Sequence, residues 1–296
     1  MVKIAYIVLC HKNPDQINEL IIQLLKNDAD VYIHVDLKSN IANEIMNNEN
    51  VYILSSNESY SVNWGGNDMI LATLSLIRHV KNTNKEYDYI WLLSGQDYPI
   101  VSADVINNIL STDKMCNYID VIDKRSNEYN RYKKLYEIWY PKWITKNNFF
   151  IKSIKRLYML LTGGFNYTFR FFRRKKTFNF DFYFGSQWWT LTTDCAYYIL
   201  DYCDNNPDYI KYFDNSIIPD ECFFQTLFMS SPYSNNRKDN LTFVNWKDNR
   251  RSPETLTIKD VELLKEKSNN KCFARKFDRD VDDSIINNIK ERINGE

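Results

Sequence analysis

The chain has 296 residues, enough for one α/β domain or two smaller ones, and its 38 basic and 38 acidic side chains leave a formal charge of +0. No global field therefore draws it to nucleic acid or to an anionic surface. Seven glycines, with neither G-x-G-x-x-G nor G-x-x-x-x-G-K-[ST] among them, count against a dinucleotide fold and a P-loop. The first element in chain order is residues 3–9, a nearly continuous apolar run expected as a strand buried on both faces. It is too short for a signal h-region or a spanning helix. Asn13-Pro14 supplies an N-cap and a first-turn proline, and Ile17, Leu20, Ile21, Leu24 and Leu25 follow at helical spacing. Residues 31–35 read as the next strand, ending in Asp36, and 51–54 as a third. A helix is expected over 68–79, a fourth buried strand over 89–93, a short helix over 102–110 and a strand over 118–121.

Repeated β-α units imply a mostly parallel sheet flanked by helices, with ligands beyond the carboxyl ends of the strands. Cys10-His11, the stretch from His34 to Lys38, and Ser94-Gly95-Gln96-Asp97 up to Pro99 all fall there. From about residue 127 to 184 the chain is rich in Tyr, Trp, Phe, Lys and Arg. Within it FNYTFRFFRRKK (165–176) interleaves aromatics with Arg170, Arg173, Arg174, Lys175 and Lys176. One reading is an interfacial segment docked on anionic lipid. The favoured one is an acceptor-side insertion with a solvated basic face. Gly185-Ser186-Gln187-Trp188-Trp189 follows, then a helix over 193–203. Ile217-Ile218-Pro219-Asp220-Glu221 opens the next helix, residues 241–246 form a late strand, and Thr257 with Asp260 is a capping-box variant at the head of a helix over 257–267.

Six scattered cysteines with no C-x-x-C support neither a zinc site nor a disulfide framework, and the expected protein is soluble and cytoplasmic. Asp-x-Asp pairs occur at Asp28/Asp30, Asp278/Asp280 and Asp280/Asp282, none at the strand end that a nucleotide-sugar metal site needs. The expected counter-charges for a leaving pyrophosphate are instead Arg250, Arg251 and Lys276, the last within Phe273-Ala274-Arg275-Lys276-Phe277-Asp278. Within that run Arg275 and Lys276, two cations between two phenylalanines, read as a preorganised clamp for a phosphate or pyrophosphate; the alternative is a surface ion pair of Lys276 with Asp278 or Asp280.

Glu221 is the candidate general base. Burial among Cys222, Phe223 and Phe224 raises a carboxylate's pKa while a helix N-terminus lowers it, so the group can stay ionised and still accept a proton. It could equally just complement the helix dipole. Asp36 could accept hydrogen bonds from a ribose or base edge, or simply cap its strand. Asp97 could order the crevice or touch a donor, or sit in a plain turn. The high aromatic content, 15%, suits sugar stacking as well as core filling.

The ordered segments YIVLCHKNP, YIHVDLKS, WGG, YDYIWLLSGQDYPI, GSQWWTL, IPDECFFQTLF, RSPETLT and FARKFD resemble the core-2/I-branching β-1,6-N-acetylglucosaminyltransferases, a family that includes the peptide O-xylosyltransferases. The resemblance runs from about residue 4 to 282, with the middle segment poorly covered. It implies a GT-A type fold, an inverting mechanism, a UDP-sugar as co-substrate (GlcNAc or xylose) and no metal or other cofactor. It implies Glu221 as the base, Lys276 with Arg251, or its competitor Arg250, on the diphosphate, and Asp36 on the uridine. The tyrosine of the uridine pocket, expected near Trp64, is displaced to Tyr60. His11 and Ser186 are further donor-side candidates, and Trp64, Trp188, Trp189 and Asp97 candidates for the pocket.

The acceptor is expected to be an oligosaccharide, polysaccharide or lipid-linked glycan. The lumenal disulfides and membrane anchor of vertebrate members have no counterpart, which implies a bacterial, cytoplasmic enzyme, or one at the inner face of the cell membrane with peripheral contact and no nucleic-acid partner. Residues 1–125 are expected as a nucleotide-binding half, 126–184 as the acceptor-side insertion, and 185–296 as the half carrying base and clamp, in one domain. A non-catalytic carbohydrate-binding protein on the same fold is the alternative. A glycoside hydrolase would need two carboxylates facing one sugar, which the adjacent Asp220 and Glu221 are ill placed to supply.

Overall fold

The computed structural model describes residues 1–26, 28–63, 65–141, 153–154, 174–246 and 252–295. Its strands are β1 (Ile4–Cys10), β2 (Ala29–Val35), β3 (Val51–Ile53), β4 (Tyr89–Ser94), β5 (Asp97–Pro99), β6 (Asn117–Ile119), β7 (Trp189–Thr192), β8 (Arg237–Lys238), β9 (Thr242–Val244) and β10 (Phe273–Arg275). The helices are α1 (Pro14–Leu24), α2 (Asp68–Asn82), α3 (Ala103–Thr112), α4 (Asn127–Tyr136), α5 (Thr193–Asn205), α6 (Pro207–Phe213), α7 (Phe223–Met229), α8 (Val261–Lys267) and α9 (Ser284–Gly295).

Seven strands form the main sheet in the order β3-β2-β1-β4-β7-β6-β8. Only β7 runs against its neighbours, so the fold is α/β with a mixed, mostly parallel central sheet. β1 explains the layering. Ala5, Ile7 and Leu9 face one core with residues of α2, α4, α5, α6 and α7. Ile4, Tyr6, Val8 and Cys10 face the other, with residues of α1, α3, α8 and α9. A strand covered on both faces has to read as continuous apolar sequence, and this one does. Much of the aromatic content also goes into these layers: Phe182, Phe184, Phe213, Phe223 and Phe224 are almost fully buried.

A second, three-stranded sheet, β5-β10-β9, was not foreseen. β9 lies within the strand expected over 241–246, but β5 and β10, three residues each, are too short to show a period in sequence. It carries the FARKFD run back to the end of β4. The helix expected over 257–267 divides into a 3-10 turn, Ile258–Asp260, and α8. Its capping box forms, with the Thr257 amide donating to the Asp260 carboxylate at 2.8 Å. Asn13 precedes α1 but makes no side-chain cap; its amide group donates to Asp278 at 3.0 Å instead. None of the six cysteines is paired. Among the described residues no helix is long and apolar enough to cross a membrane.

Candidate active site

The carboxyl ends of β1, β2 and β4 lie level, Cys10 opposite Val35 and Leu9 opposite Ser94. The chain keeps this alignment as it leaves the strands: the Asp36 amide donates to the Cys10 carbonyl and the Gly95 amide to the Leu9 carbonyl, both at 2.9 Å. Buried Gln16 ties the third party in. Its Nε2 donates to the Gly95 carbonyl at 2.8 Å and the Phe277 carbonyl at 3.3 Å, while the Arg279 amide donates to its Oε1 at 3.0 Å. The segment after β10 is thereby held over the ends of β1 and β4.

Several cations gather there. Lys12 pairs with Asp278 at 2.5 Å. The Lys276 ammonium, by contrast, forms no ion pair with any described carboxylate. Desolvation, then Arg275 and Lys12, hold its pKa below the usual lysine value, with Asp278 opposing. The surface pair of Lys276 with Asp278 considered above is thus replaced by Lys12 with Asp278. His11 borders the same space; desolvation and then Lys12 hold its pKa down, Asp36 opposes, and Lys276 and Lys38 add to the lowering. Asp36 accepts the Lys38 amide at 2.9 Å, which is the strand-end cap. Beside it the Tyr60 amide donates to His34 Nε2 at 2.8 Å, the Leu37 amide donates to the Tyr60 carbonyl at 3.2 Å, and the Tyr60 ring stacks near His34. Tyr60 therefore borders the turn that carries Asp36.

Glu221 stands on a 3-10 turn, Pro219–Glu221, and α7 begins only at Phe223. This corrects the expectation of a first-turn helical position: the helix N-terminus lies after the carboxylate. Burial is the leading cause that pushes its pKa up to about 8, the Asp220 charge adds to it, the Tyr132 hydroxyl bond opposes, and Glu128 raises it further. The turn is fixed at its entrance. Ile218 has φ 52°, a left-handed conformation costing a β-branched residue about 1–3 kcal/mol. Its amide donates to the Gly65 carbonyl at 2.9 Å and its carbonyl accepts from the Tyr136 hydroxyl.

Asp220 is buried and lies within electrostatic reach of Arg275. Burial pushes its pKa up to about 6 despite that cation. Asp97 is fully buried, with its carboxylate accepting the Ser94 amide at 2.8 Å and lying 3.3 Å from Arg275 Nε. Burial likewise raises it to about 6, with Arg275 opposing. The Arg275 guanidinium stacks 3.9 Å from the Trp188 ring centre. Trp188 and Trp189 thus part company: Trp189 is wholly buried, 5.4 Å from Phe224. Ser186 Oγ accepts the Trp188 amide at 3.4 Å, so its hydroxyl shapes the loop.

Arg250, Arg251 and Trp64 lie outside the described residues, as do residues 165–173 of the aromatic-basic stretch. Arg174 of that stretch faces inward. It donates to the Tyr136 carbonyl at 2.6 Å and to Ser216 Oγ at 2.9 Å, and stacks on Tyr212. Among the described residues no group of three or more His, Cys, Asp or Glu could hold a metal ion. The Arg275-Lys276 pair expected to clamp a phosphate together is split: Arg275 faces Asp97 at 3.3 Å and stacks on Trp188, and of the two only Lys276 has no ion pair with a described carboxylate. Lys12, Gln16 and Tyr132 were not singled out from sequence, and for Gln16 and Tyr132 nothing local marked them.

Comparison with known proteins adds a separate line. The family described as Core-2/I-Branching enzyme matches residues 4–267. Xylosyltransferase 1 of Rattus norvegicus is 22% identical over 317 residues, covering 99% of this chain and 36% of the rat protein. Xylosyltransferase sqv-6 of Caenorhabditis briggsae is 24% identical over 324 residues, covering 98% of this chain and 37% of its own length. The Caenorhabditis elegans protein of the same name is 25% identical over 312 residues. The chain spans little more than a third of the length of these relatives.

Proposed function

For this chain, which belongs to the Core-2/I-branching enzyme family, we propose the role of an inverting, metal-independent glycosyltransferase of GT-A type. It moves a sugar, GlcNAc or xylose, from a UDP-sugar to a hydroxyl of a glycan or glycoconjugate. Glu221 takes the proton of the acceptor hydroxyl, whose oxygen attacks the anomeric carbon from the face opposite the leaving group. The bond from that carbon to the phosphate oxygen breaks and UDP departs with the electron pair. The charge that develops on the diphosphate meets Lys276, with Arg251 or Arg250 as its partner, and Asp36 with Tyr60 borders the uridine. His11 lines the donor side.

The observation that carries this reading is the pairing of an unneutralised, partly desolvated Lys276 ammonium at the strand ends with a carboxylate whose pKa is pushed up to about 8. A cation left without a described partner inside a crevice is suited to an incoming anion. A carboxylate raised towards neutrality is suited to accept a proton. A UDP-sugar panel followed by calorimetry and by product formation, with EDTA and with Mn²⁺, tests it. Binding and turnover that persist in EDTA are expected. Dependence on Mn²⁺ would overturn the cationic clamp. Glycan binding with no affinity for any UDP-sugar would move the weight to a carbohydrate-binding protein.

A further inference from the structure

Arg275 is placed where no clamp residue needs to be. Its Nε faces Asp97, which is fully buried, at 3.3 Å, and the two are cross-strand partners of β10 and β5. Its guanidinium lies 3.9 Å from the Trp188 ring centre, and its own side chain is only 11% exposed. Trp188 belongs to the loop whose Gly185 amide donates to the Glu221 carbonyl at 3.0 Å. Arg275 also lies within electrostatic reach of Asp220, the neighbour of Glu221 in the same 3-10 turn.

We propose that Arg275 is a positioning residue for the base: it packs on the Trp188 loop that holds the Glu221 backbone and, through Asp220, sets the charge environment of Glu221. The inference rests on Glu221 acting as the base. A desolvated cation favours the ionised form of Asp220, and an ionised Asp220 makes the neighbouring carboxylate harder to ionise and therefore a stronger base. The other groups facing Glu221 are Tyr132, Tyr136 and Glu128, all on α4. Tyr132 favours the ionised form and Glu128 disfavours it. Arg275 reaches none of them by a described bond, so its influence runs through Asp220. Lys276, one residue on, is left to face the donor.

The test is a titration of the Glu221 carboxyl by ¹³C NMR, assigned with Glu221→Gln, in parallel with pH profiles of turnover. In the unsubstituted protein the midpoint is expected at about 8. Asp220→Asn should lower it by about one pH unit, the size of a typical like-charge effect. Arg275→Met should lower it too, because Asp220 then keeps its proton, and the double variant should move no further than Asp220→Asn alone. Arg275→Lys retains the charge and should keep the midpoint. In the profiles, Asp220→Asn should shift the acid limb down and also lower the kcat plateau, a combination that simple loss of packing does not produce. Should Arg275→Met not fold, Asp220→Asn and Arg275→Lys still decide the matter. An unmoved midpoint in Asp220→Asn, or additive shifts in the double variant, would overturn the proposal. Midpoints that behave as stated in a protein that transfers no sugar from any UDP-sugar would instead sink the functional reading alone.

Discussion

The amide of Gly185 donates to the carbonyl of Glu221 at 3.0 Å, so the loop entering β7 grips the backbone of the proposed base. This contact demands the absence of a side chain. A Cβ built on Gly185 would lie 1.9 Å from the Asp120 carbonyl oxygen, which belongs to backbone and cannot swing aside. Gly185→Ala is expected to cost about 2–4 kcal/mol of stability and to displace the Glu221 turn. Urea denaturation followed by tryptophan fluorescence checks this. An alanine variant as stable as the parent would show that the loop adapts.

Turnover should depend on Glu221 and its pH profile on Tyr132. Glu221→Gln is expected to keep UDP-sugar affinity while removing product formation, since a base acts only in the chemical step. The Tyr132 hydroxyl bond opposes the rise of the Glu221 pKa. Tyr132→Phe should therefore move the acid limb of kcat/KM to higher pH. A limb that stays in place would separate Tyr132 from the base.

Stability should also carry the signature of Glu221. Its folded pKa is raised from 4.5 to about 8, so between those values the folded chain keeps a proton that the unfolded chain has released. Stability from this group is present below pH 4.5 and is lost as pH rises towards 8. Asp97 and Asp220, raised to about 6, act in the same direction at lower pH. His11 and His34, whose pKa values are lowered from 6.5, act oppositely below that pH. The window above it therefore isolates Glu221. Melting temperatures of the parent relative to Glu221→Gln should fall across that window, and parallel curves would refute the assignment.

Removing the Lys276 charge should slow the reaction without unfolding the protein. No described carboxylate depends on it, so Lys276→Met is expected to melt near the parent temperature. If it meets charge developing on the diphosphate, kcat should fall by about 2–4 kcal/mol of barrier, roughly 30- to 10³-fold. Steady-state kinetics and a melting curve on the same preparation separate the two effects.

Gln16 predicts a structural coupling. It bonds the carbonyls of Gly95 and Phe277 in buried surroundings and accepts the half-buried Arg279 amide. Gln16→Leu removes the side-chain partner of the Gly95 carbonyl and the Arg279 amide, at about 1–3 kcal/mol each before relaxation, while the Phe277 carbonyl still accepts Gln96 Nε2 at 3.3 Å. Faster amide exchange is expected at Arg279 and across the segment carrying Lys276. Unchanged exchange there would mean that Phe277, whose amide donates to the Gln96 carbonyl at 2.8 Å, suffices to hold it.

The sequence by itself determined β1, β2, β3, β4 and β6 of the main sheet, but not the short antiparallel β7 or the two-residue β8. β1, β2 and β4 are mostly apolar because both faces are covered, with Asp30 and His34 of β2 and Ser94 of β4 the polar exceptions, and that pattern, with helical spacing between them, names an α/β fold. It also put His11, Asp36 and Asp97 at strand ends and singled out Glu221 and Lys276, since those follow from order along the chain. Tertiary structure alone decided the partners. β5 and β10 are too short to have a period, so their pairing, and with it the meeting of Arg275 with Asp97, arises only when distant segments fold together. Likewise two adjacent tryptophans read alike, but successive side chains in this segment face different sides: Trp188 covers Arg275 and Trp189 enters the core beside Phe224. Local patterns fix which elements form and where their ends lie. Which charge meets which is a long-range matter of register and desolvation, and only the folded chain sets it.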